Sequence, residues 1–521
     1  MTLRPKGSRK RFGASSGSSD SNGFEMVLVS TFPPRQCGLA TFSEDLIAGM
    51  EAHLDGSPIK VAAISNATYS YPERVKWEIA QEIRESYIDV ANLINSSQAD
   101  LVLVQHEFGI FGGRNGEYVL DFMEALRPPI VTTFHSVLLE PDDHRYAIVR
   151  RIGELSSALV VMAQKGRETL VTKYGIPQWK VHVIHHGVPD LDGFLPSASV
   201  SRLTTSLAQP GDHRMVLKLE KPLSTKSRVA EAREGLAVVA GASLPATVLP
   251  AKAAPLAVGE VDRLYGPKAR TDVNLRPVLS QIKDESRSVE QIKRDLGYEG
   301  KQLLTTFGLL SPSKGIEYVL RALPSIVERH PEVVYLILGE THPVVKKLCG
   351  ESYRRKLKKW VKEMGIDEHV SFVDRYLSKE DLLTYLRITD IYITPYPNPE
   401  QISSGTLAYA VGMGKAVVST PYIYAQELLD KGRGILVEFR SPDSIAQAVN
   451  QLLDDPSLKA RLEANAREYG REMTWTKVGG RYLDVIGGVL GIEIPGTPKR
   501  VLEVYGATTA KEKLAGRAKT K

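Results

Sequence analysis

The sequence predicts an α/β protein of two doubly wound, Rossmann-like domains facing each other across a cleft. Three observations predict it. Short, nearly continuous apolar runs recur along the chain with helical patterns between most of them, as parallel strands covered on both faces require. The alternation stops after residue 190 and restarts near 297, so it describes two domains and not one large sheet. At 521 residues the chain has length for two or three domains.

Taken in order, residues 1–23 are rich in Ser, Gly, Lys and Arg and read as a disordered basic tail. The first domain is expected over 24–190. EMVLVS (25–30) reads as a strand followed by a helix near 41–52, and KVAAIS (60–65) as a strand followed by a helix near 84–97. DLVLVQ (100–105), PIVTTF (129–134), ALVVMA (158–163) and KVHVIH (180–185) read as further strands. Residues 191–296 are rich in Ala, Pro and Ser. Their one apolar stretch is broken by Pro245, Pro250, Lys252 and Pro255, so it reads as a long linker and not a membrane helix. A short helix near 286–296 is expected at its end.

The second domain is expected over 297–470. Its strands are QLLTTFG (302–308), VVYLILG (333–339), VSFVD (370–374), DIYITP (390–395), AVVST (416–420) and GILVEF (434–439). Helices are expected at 314–329, 353–364, 378–387 and 442–453. A last helix near 474–488, within 471–490, is expected to pack back on the first domain. Residues 491–521 form a second basic tail.

Composition narrows the function classes. The net charge is +6, but residues 1–19 contribute +5 and residues 511–521 contribute +4, which leaves −3 for the remainder. The basic character belongs to the tails, so specific nucleic-acid recognition is not expected. Two cysteines, Cys37 and Cys349, exclude a disulfide framework and a cysteine-based zinc site, and suit a reducing cytoplasm. No apolar run reaches membrane-spanning length; peripheral contact with a membrane surface stays open. Asp190 and Asp192 form a carboxylate pair too short and too common to be read as a metal site, and no metal or cofactor is expected.

Between two such domains, the loops that end the strands line the cleft. In PEQISSGTLAYAVGMGKAVVST (399–420), Ser403 or Ser404 is the N-cap of a short buried helix, with Gly405 and Thr406 in its first turn. Unpaired N–H groups and the helix dipole make that turn an anion site, and glycine lets a ligand approach. The alternative is an ordinary buried turn. TFPPRQCGLATFSEDL (31–46) is a Pro/Gly-rich loop entering a helix, where Gly38, Leu39 and Ala40 can approach an acceptor or phosphates. In QHEFGIFGGRNG (105–116), His106 and Glu107 either position an acceptor or brace the loop. HHGVPD (185–190) ends another strand. Glu427 either binds a ribose or closes a capping network.

GLLSPSKGIEYVLRALPSIVERHP, with a strand ending at Gly339, resembles the second domain of retaining glycosyltransferase family 4. PEQISSGTLAYAVGMGKAVVSTPYIYAQELL resembles that family's donor-binding segment, and GVPD (187–190) the turn ending its first domain. The resemblance covers about 24–190 and 297–490. It implies the two-domain GT-B fold and transfer of a sugar, mannose or glucose, from a nucleotide diphosphate sugar to a saccharide or glycoconjugate, with retained anomeric configuration. It further implies that Lys314, Ser404, Gly405 and Thr406 hold the donor phosphates. Gln401, Tyr409, Glu427 and Gly308 would lie along the donor sugar and nucleotide, and His135 near the transferred sugar. His135, Lys314 and Gln401 are thus the expected catalytic residues. Arg35, Gly38, Leu39, Ala40, His106 and Glu107 fall on the acceptor side.

The chain departs from the family at two places. Leu309 stands where the family has a phosphate-binding arginine, and Gln401 and Tyr409 stand at the two glutamate positions. Loss of the arginine removes a bidentate phosphate contact, for which Arg375 or Arg35 would have to compensate. The departures keep two alternatives in view: a glycoside phosphorylase that uses inorganic phosphate, and a sugar- or nucleotide-binding protein without turnover.

Overall fold

The computed structural model describes residues 24–54, 58–190 and 287–494. The tail expected over 1–23, the linker expected over 191–296 up to residue 286, and the second tail beyond residue 494 lie outside the described residues, as does Asp192. The described residues fall into two compact units. One holds residues up to Phe134, Asp142–Val160 and the segment from Gly479 on; the other holds His135–Pro141 and Val161–Val478.

The first sheet has seven strands in the order β3-β2-β1-β4-β5-β6-β7. They are β1 (Met26–Ser30), β2 (Lys60–Ser65), β3 (Val75–Ala80), β4 (Leu101–His106), β5 (Ile130–Phe134), β6 (Ala158–Val161) and β7 (Val181–Val183). Pairing from β3 through β5 is parallel. Every residue of β1, β4, β5 and β6 is buried, which is why these strands read as nearly continuous apolar runs. Strand β3 has no counterpart among the expected strands. It is an edge strand with one face open to solvent, so VKWEIA carries polar residues at Lys76 and Glu78 and hides the pattern. Helices α1 (Gly38–Glu51), α2 (Arg84–Ser96), α3 (Tyr118–Ala125) and α4 (Asp143–Leu155) accompany this sheet.

The second sheet has six parallel strands in the order β10-β9-β8-β11-β12-β13. They are β8 (Gln302–Phe307), β9 (Val333–Leu338), β10 (Val370–Val373), β11 (Ile391–Thr394), β12 (Ala416–Ser419) and β13 (Ile435–Leu436). The last is only the start of the expected GILVEF strand and sits at the edge, paired to β12 alone. The second unit also holds α5 (Gln164–Thr172), α6 (Val289–Asp295), α7 (Ile316–Arg329), α8 (Pro343–Cys349), α9 (Ser352–Glu363), α10 (Lys379–Ile388), α11 (Gly405–Gly412), α12 (Ile423–Leu428), α13 (Pro442–Asp454) and α14 (Pro456–Gly470). Helix α7 buries Ile316, Val319, Leu320, Leu323 and Ile326, a single helical stripe, against β8, β9 and α13.

The last helix is α15 (Trp475–Leu490). From Gly479 on it belongs to the first unit. There a side chain at Gly479 would collide with the backbone of Gly49 in α1, and the Tyr482 hydroxyl lies 3.1 Å from Thr133 Oγ1 in β5.

Candidate functional site

In the second sheet β8 lies between β9 and β11, so the loops leaving these three strands are neighbours. Gly308 and Gly339 follow β8 and β9 with φ of +124° and +128°, and a side chain on Gly339 would strike the Gly308 carbonyl. The chain then makes one 3-10 turn over Pro312–Lys314 and enters α7 through Gly315 at φ +66°. A Cβ on Gly315 would collide with the Pro395 carbonyl oxygen. Glycine is required there twice over, by backbone conformation and by space. This packing brings the β8 loop onto the segment leaving β11.

Four polar side chains converge at the entrance of α11. Ser404 is the N-cap and its Oγ accepts from the Leu407 N–H at 3.3 Å. Thr406 Oγ1 lies 3.2 Å from Ser404 Oγ and 2.9 Å from Tyr396 Oη. Lys314 Nζ donates to Tyr396 Oη at 2.8 Å. A Cβ at Gly308 would lie 3.2 Å from Lys314 Nζ and 3.5 Å from Thr406 Cγ2, so the bare Gly308 backbone faces the same spot. Burial alone would push the Tyr396 phenol up. The Lys314 ammonium and the hydroxyls around it outweigh burial and hold the phenol below its ordinary value. One cation, three hydroxyls and a helix N-terminus aimed at one place form a site for a multiply charged anion.

Other expected residues join this centre in part. Ser403 Oγ donates to the His135 carbonyl at 2.8 Å, which brings the His135 segment beside the α11 entrance. Gln401 Nε2 donates to the Ser403 carbonyl at 2.9 Å and so braces the same loop. Tyr409 is buried one turn into α11, its ring 6.1 Å from that of His186. The Glu427 carboxylate accepts the N–H groups of Gln164 (2.7 Å) and Lys165 (2.8 Å) and caps α5, which is the capping alternative of its two readings. Leu309 places no cation beside the centre. Neither candidate substitute is free: Arg375 is paired through Nη1 with Asp381 at 2.6 Å, and Arg35 donates to the Ile64 carbonyl and Gln81 Oε1.

In the first unit the expected residues are dispersed. His106 is fully buried against Phe108, Phe111 and Phe134, with ring centroids 5.1–5.7 Å away. Both its ring nitrogens lack a hydrogen-bond partner among the described residues, and burial pushes its pKa down to about 3. Glu107 Oε1 accepts from the Phe108 N–H at 3.1 Å and caps its own turn. Gly38 opens α1, with Leu39 and Ala40 in the first turn. Cys37 is the N-cap, its Sγ accepting from the Ala40 N–H, and a side chain at Gly38 would meet open space.

Two residues at the centre escape motif reasoning. Tyr396 reads as an apolar extension of the β11 run. His186 reads as one of two histidines in a turn, yet its Nε2 would lie 2.9 Å from a Cβ on Gly405. The signal available for Tyr396 is its position two residues past a strand end, directly before Pro397.

Comparison with known proteins gives this centre a context. A family model described as Glycosyl transferases group 1 matches residues 288–469, and one described as Glycosyltransferase Family 4 matches residues 61–190. Spore coat protein SA of Bacillus subtilis is 24% identical over 204 residues, 38% of this chain and 52% of that protein. A phosphatidyl-myo-inositol mannosyltransferase of Mycolicibacterium smegmatis is 26% identical over 208 residues, 39% of this chain and 50% of that protein. The chain thus spans about half the length of these curated relatives. Among solved structures, Anabaena HepE in complex with UDP and glucose superposes with a TM-score of 0.57 at 14% identity, over 89% of this chain and 99% of that one. The lipopolysaccharide glycosyltransferase WaaG superposes with a TM-score of 0.52 at 14% identity, over 89% of this chain and all of that one. The fold is GT-B, with the group 1 glycosyltransferase model matched in the second half of the chain and the family 4 glycosyltransferase model in the first.

Proposed function

We propose that the protein transfers a hexose, mannose or glucose, from a nucleotide diphosphate sugar to a saccharide or glycoconjugate acceptor, with retention of configuration. The observation that carries this reading is the convergence of Lys314, Tyr396, Thr406 and Ser404 with bare Gly308 at the start of α11. The donor diphosphate would sit at that convergence and draw Lys314 from Tyr396 to a phosphate oxygen. As the glycosidic bond breaks, negative charge grows on the leaving phosphate. The ammonium and the first-turn N–H groups are already aimed at it, so little reorganisation is needed. The transition state has oxocarbenium character. In the front-face scheme that the family resemblance implies, the leaving phosphate helps to take the acceptor proton. The ammonium and the helix N-terminus supply the positive charge in this scheme, and it assigns no divalent ion to the reaction. The expected setting is the cytoplasm, where Cys37 and Cys349, both free, stay reduced.

A glycoside phosphorylase on the same fold is the second reading. Leu309 favours it, together with the engagement of Arg35 and Arg375 elsewhere, because a weaker diphosphate grip suits orthophosphate. Thermal unfolding with UDP, GDP, ADP, their mannose and glucose conjugates, and orthophosphate with sugar phosphates separates the two. A ligand at about a hundred times its Kd adds about 2.7 kcal/mol of stability. A shift with one nucleotide series supports the transferase and names the donor. A shift confined to orthophosphate and sugar phosphates moves the assignment to the phosphorylase. Ligand shifts without any turnover of sugar point to a binding protein.

A further inference from the structure

Residues 343–363 hold eight Lys and Arg against two Glu, a net charge of +6, as large as that of the whole chain. In α9 their placement is one-sided, and α8 buries none of its residues. In α9 the buried stripe is Arg354, Leu357 and Val361, so Arg355, Lys356, Lys359 and Lys362 form the opposite, exposed stripe. Arg354 is spent internally, on Asp374 at 2.7 Å and the Gly339 carbonyl. The exposed cations are nearly unspent. Lys359 reaches only Glu363 at 3.4 Å, and Lys347, Arg355 and Lys362 make no ion pair among the described residues. In α8, Leu348 is 75% exposed and Val344, one turn earlier, 57% exposed. Leu348 is the most exposed large apolar side chain among the described residues, and Lys346 and Lys347 flank it.

We infer that α8 and α9 form a docking face for an anionic lipid bilayer surface. Two exposed aliphatic side chains on one face of α8, followed directly in the chain by the long cationic stripe of α9, suit the boundary between headgroups and acyl chains. The aliphatics enter that boundary while the Lys stems extend their charges to lipid phosphates. A single-stranded nucleic acid would be met by aromatic stacking, and a duplex, bound through its phosphates, would leave Leu348 and Val344 without a role. The Trp360 ring beside the stripe is instead covered by Arg321 and Lys356, with centroid distances of 5.1 and 4.7 Å, and the Tyr353 hydroxyl is engaged by Glu317. An acidic protein would leave Leu348 and Val344 without a role.

The face is also joined to the anion centre. His342 caps α8, and its N–H donates to the Leu310 carbonyl at 2.9 Å, within the loop that carries Lys314. Burial and the nearby Lys314 charge push the His342 pKa down. Docking would therefore hold the loop around the centre close to the lipid headgroups, where an amphiphilic acceptor resides. That consequence rests on the transfer reading; the docking itself does not.

The test uses the full chain, sedimented with vesicles of phosphatidylcholine with and without phosphatidylglycerol. The wild-type chain is expected to bind only the anionic vesicles. Replacing the stripe (Arg355→Gln, Lys356→Gln, Lys359→Gln, Lys362→Gln) or the aliphatic pair (Val344→Ser, Leu348→Ser) should each weaken binding by about tenfold or more. All six positions are exposed, and an unchanged melting temperature checks the fold. Leu348→Trp should bind as wild type, and its fluorescence should shift to the blue on anionic vesicles. No binding of the wild-type chain overturns the inference. So does wild-type binding by both multiple variants, because the basic tails would then carry the adhesion. A chain that ignores vesicles and captures an acidic polypeptide overturns it as well. The measurement contains neither donor nor acceptor, so none of these results bears on sugar transfer.

Discussion

At the end of β4, His106 lies among Phe108, Phe111 and Phe134 with both nitrogens unpartnered. In the loop after β8, Lys314 meets Tyr396, whose hydroxyl meets Thr406, beside the backbone of Gly308. Both places lie at the carboxyl ends of parallel strands, where α/β proteins bind ligands, His106 as the last residue of β4 and Lys314 in the loop after β8. The first place seals an ionisable side chain in an apolar pocket, which holds it neutral. The second holds a cation on the Tyr396 hydroxyl and against the Tyr396 ring, with no ion-paired carboxylate among the described residues, so its charge stays available to an anion. A histidine in a glycine-rich loop is therefore a weaker pointer to a site than small hydroxylated residues at a helix mouth facing a lysine.

The strongest way to break this contrast is to remove the cation. Lys314→Ala should lower kcat/KM about 10²-fold or more, the usual effect of removing one charge-stabilising donor. It should also abolish the thermal shift given by the nucleotide. Lys314 is half-exposed, and Tyr396 keeps its bond to Thr406, so the fold should survive. A variant with near-wild-type turnover would mean that the convergence at α11 is structural, as the His106 pocket is.

His106 sharpens the other side. Its pKa is pushed down from 6.5 to about 3 by burial. Between those values the unfolded chain binds the proton and the folded chain does not. Stability therefore rises with pH across this window and is lost as pH falls from 6.5 towards 3. By pH 5 the loss from this group is about 2 kcal/mol. His106→Leu should remove that slope and hold or raise stability at pH 7, since two orphaned polar atoms leave the core. Melting curves at pH 7 and pH 5 measure it. A variant whose pH slope matches the wild type would show that water or a partner satisfies the ring, and the pocket would no longer be inert.

The unequal legibility of the two sheets has the same physical origin. Buried parallel strands such as β1, β4, β8 and β9 carry apolar residues on both faces over most of their length, so they stand out in the chain. Edge strands face solvent on one side, so β3 hides its pattern in the sequence and β13 is shorter than the apolar run GILVEF suggests. Ser404, Gly405 and Thr406 are legible because N-cap chemistry is local: the cap, the N–H that donates to it and the first turn lie within four residues. Tyr396 and His186 were not legible, because what aims them is the crossing of separate chain segments. Tyr396 reaches Lys314 across 82 positions, and His186 abuts Gly405. The roles of Arg375 and Glu427 turned on partners that no motif names, Asp381 for one and the α5 N-terminus for the other.

Arg375 gives the smallest expected effect and the finest discrimination. It follows β10, at the same end of the sheet as Lys314, and could supply the charge that Leu309 does not. Its side chain is largely buried, and Asp381, 2.6 Å away, neutralises it. Moving it to a phosphate would leave the Asp381 carboxylate, itself poorly exposed, without a partner, and the cost of that offsets much of what a new contact contributes. Arg375→Ala should therefore change donor affinity, measured by calorimetry, by less than about threefold, while lowering the melting temperature by a few degrees. A loss of affinity beyond about tenfold would mean that Arg375 exchanges Asp381 for the diphosphate when the donor binds. The second sheet would then hold two cations for the donor, and the case for a phosphorylase would lose the observation that favours it.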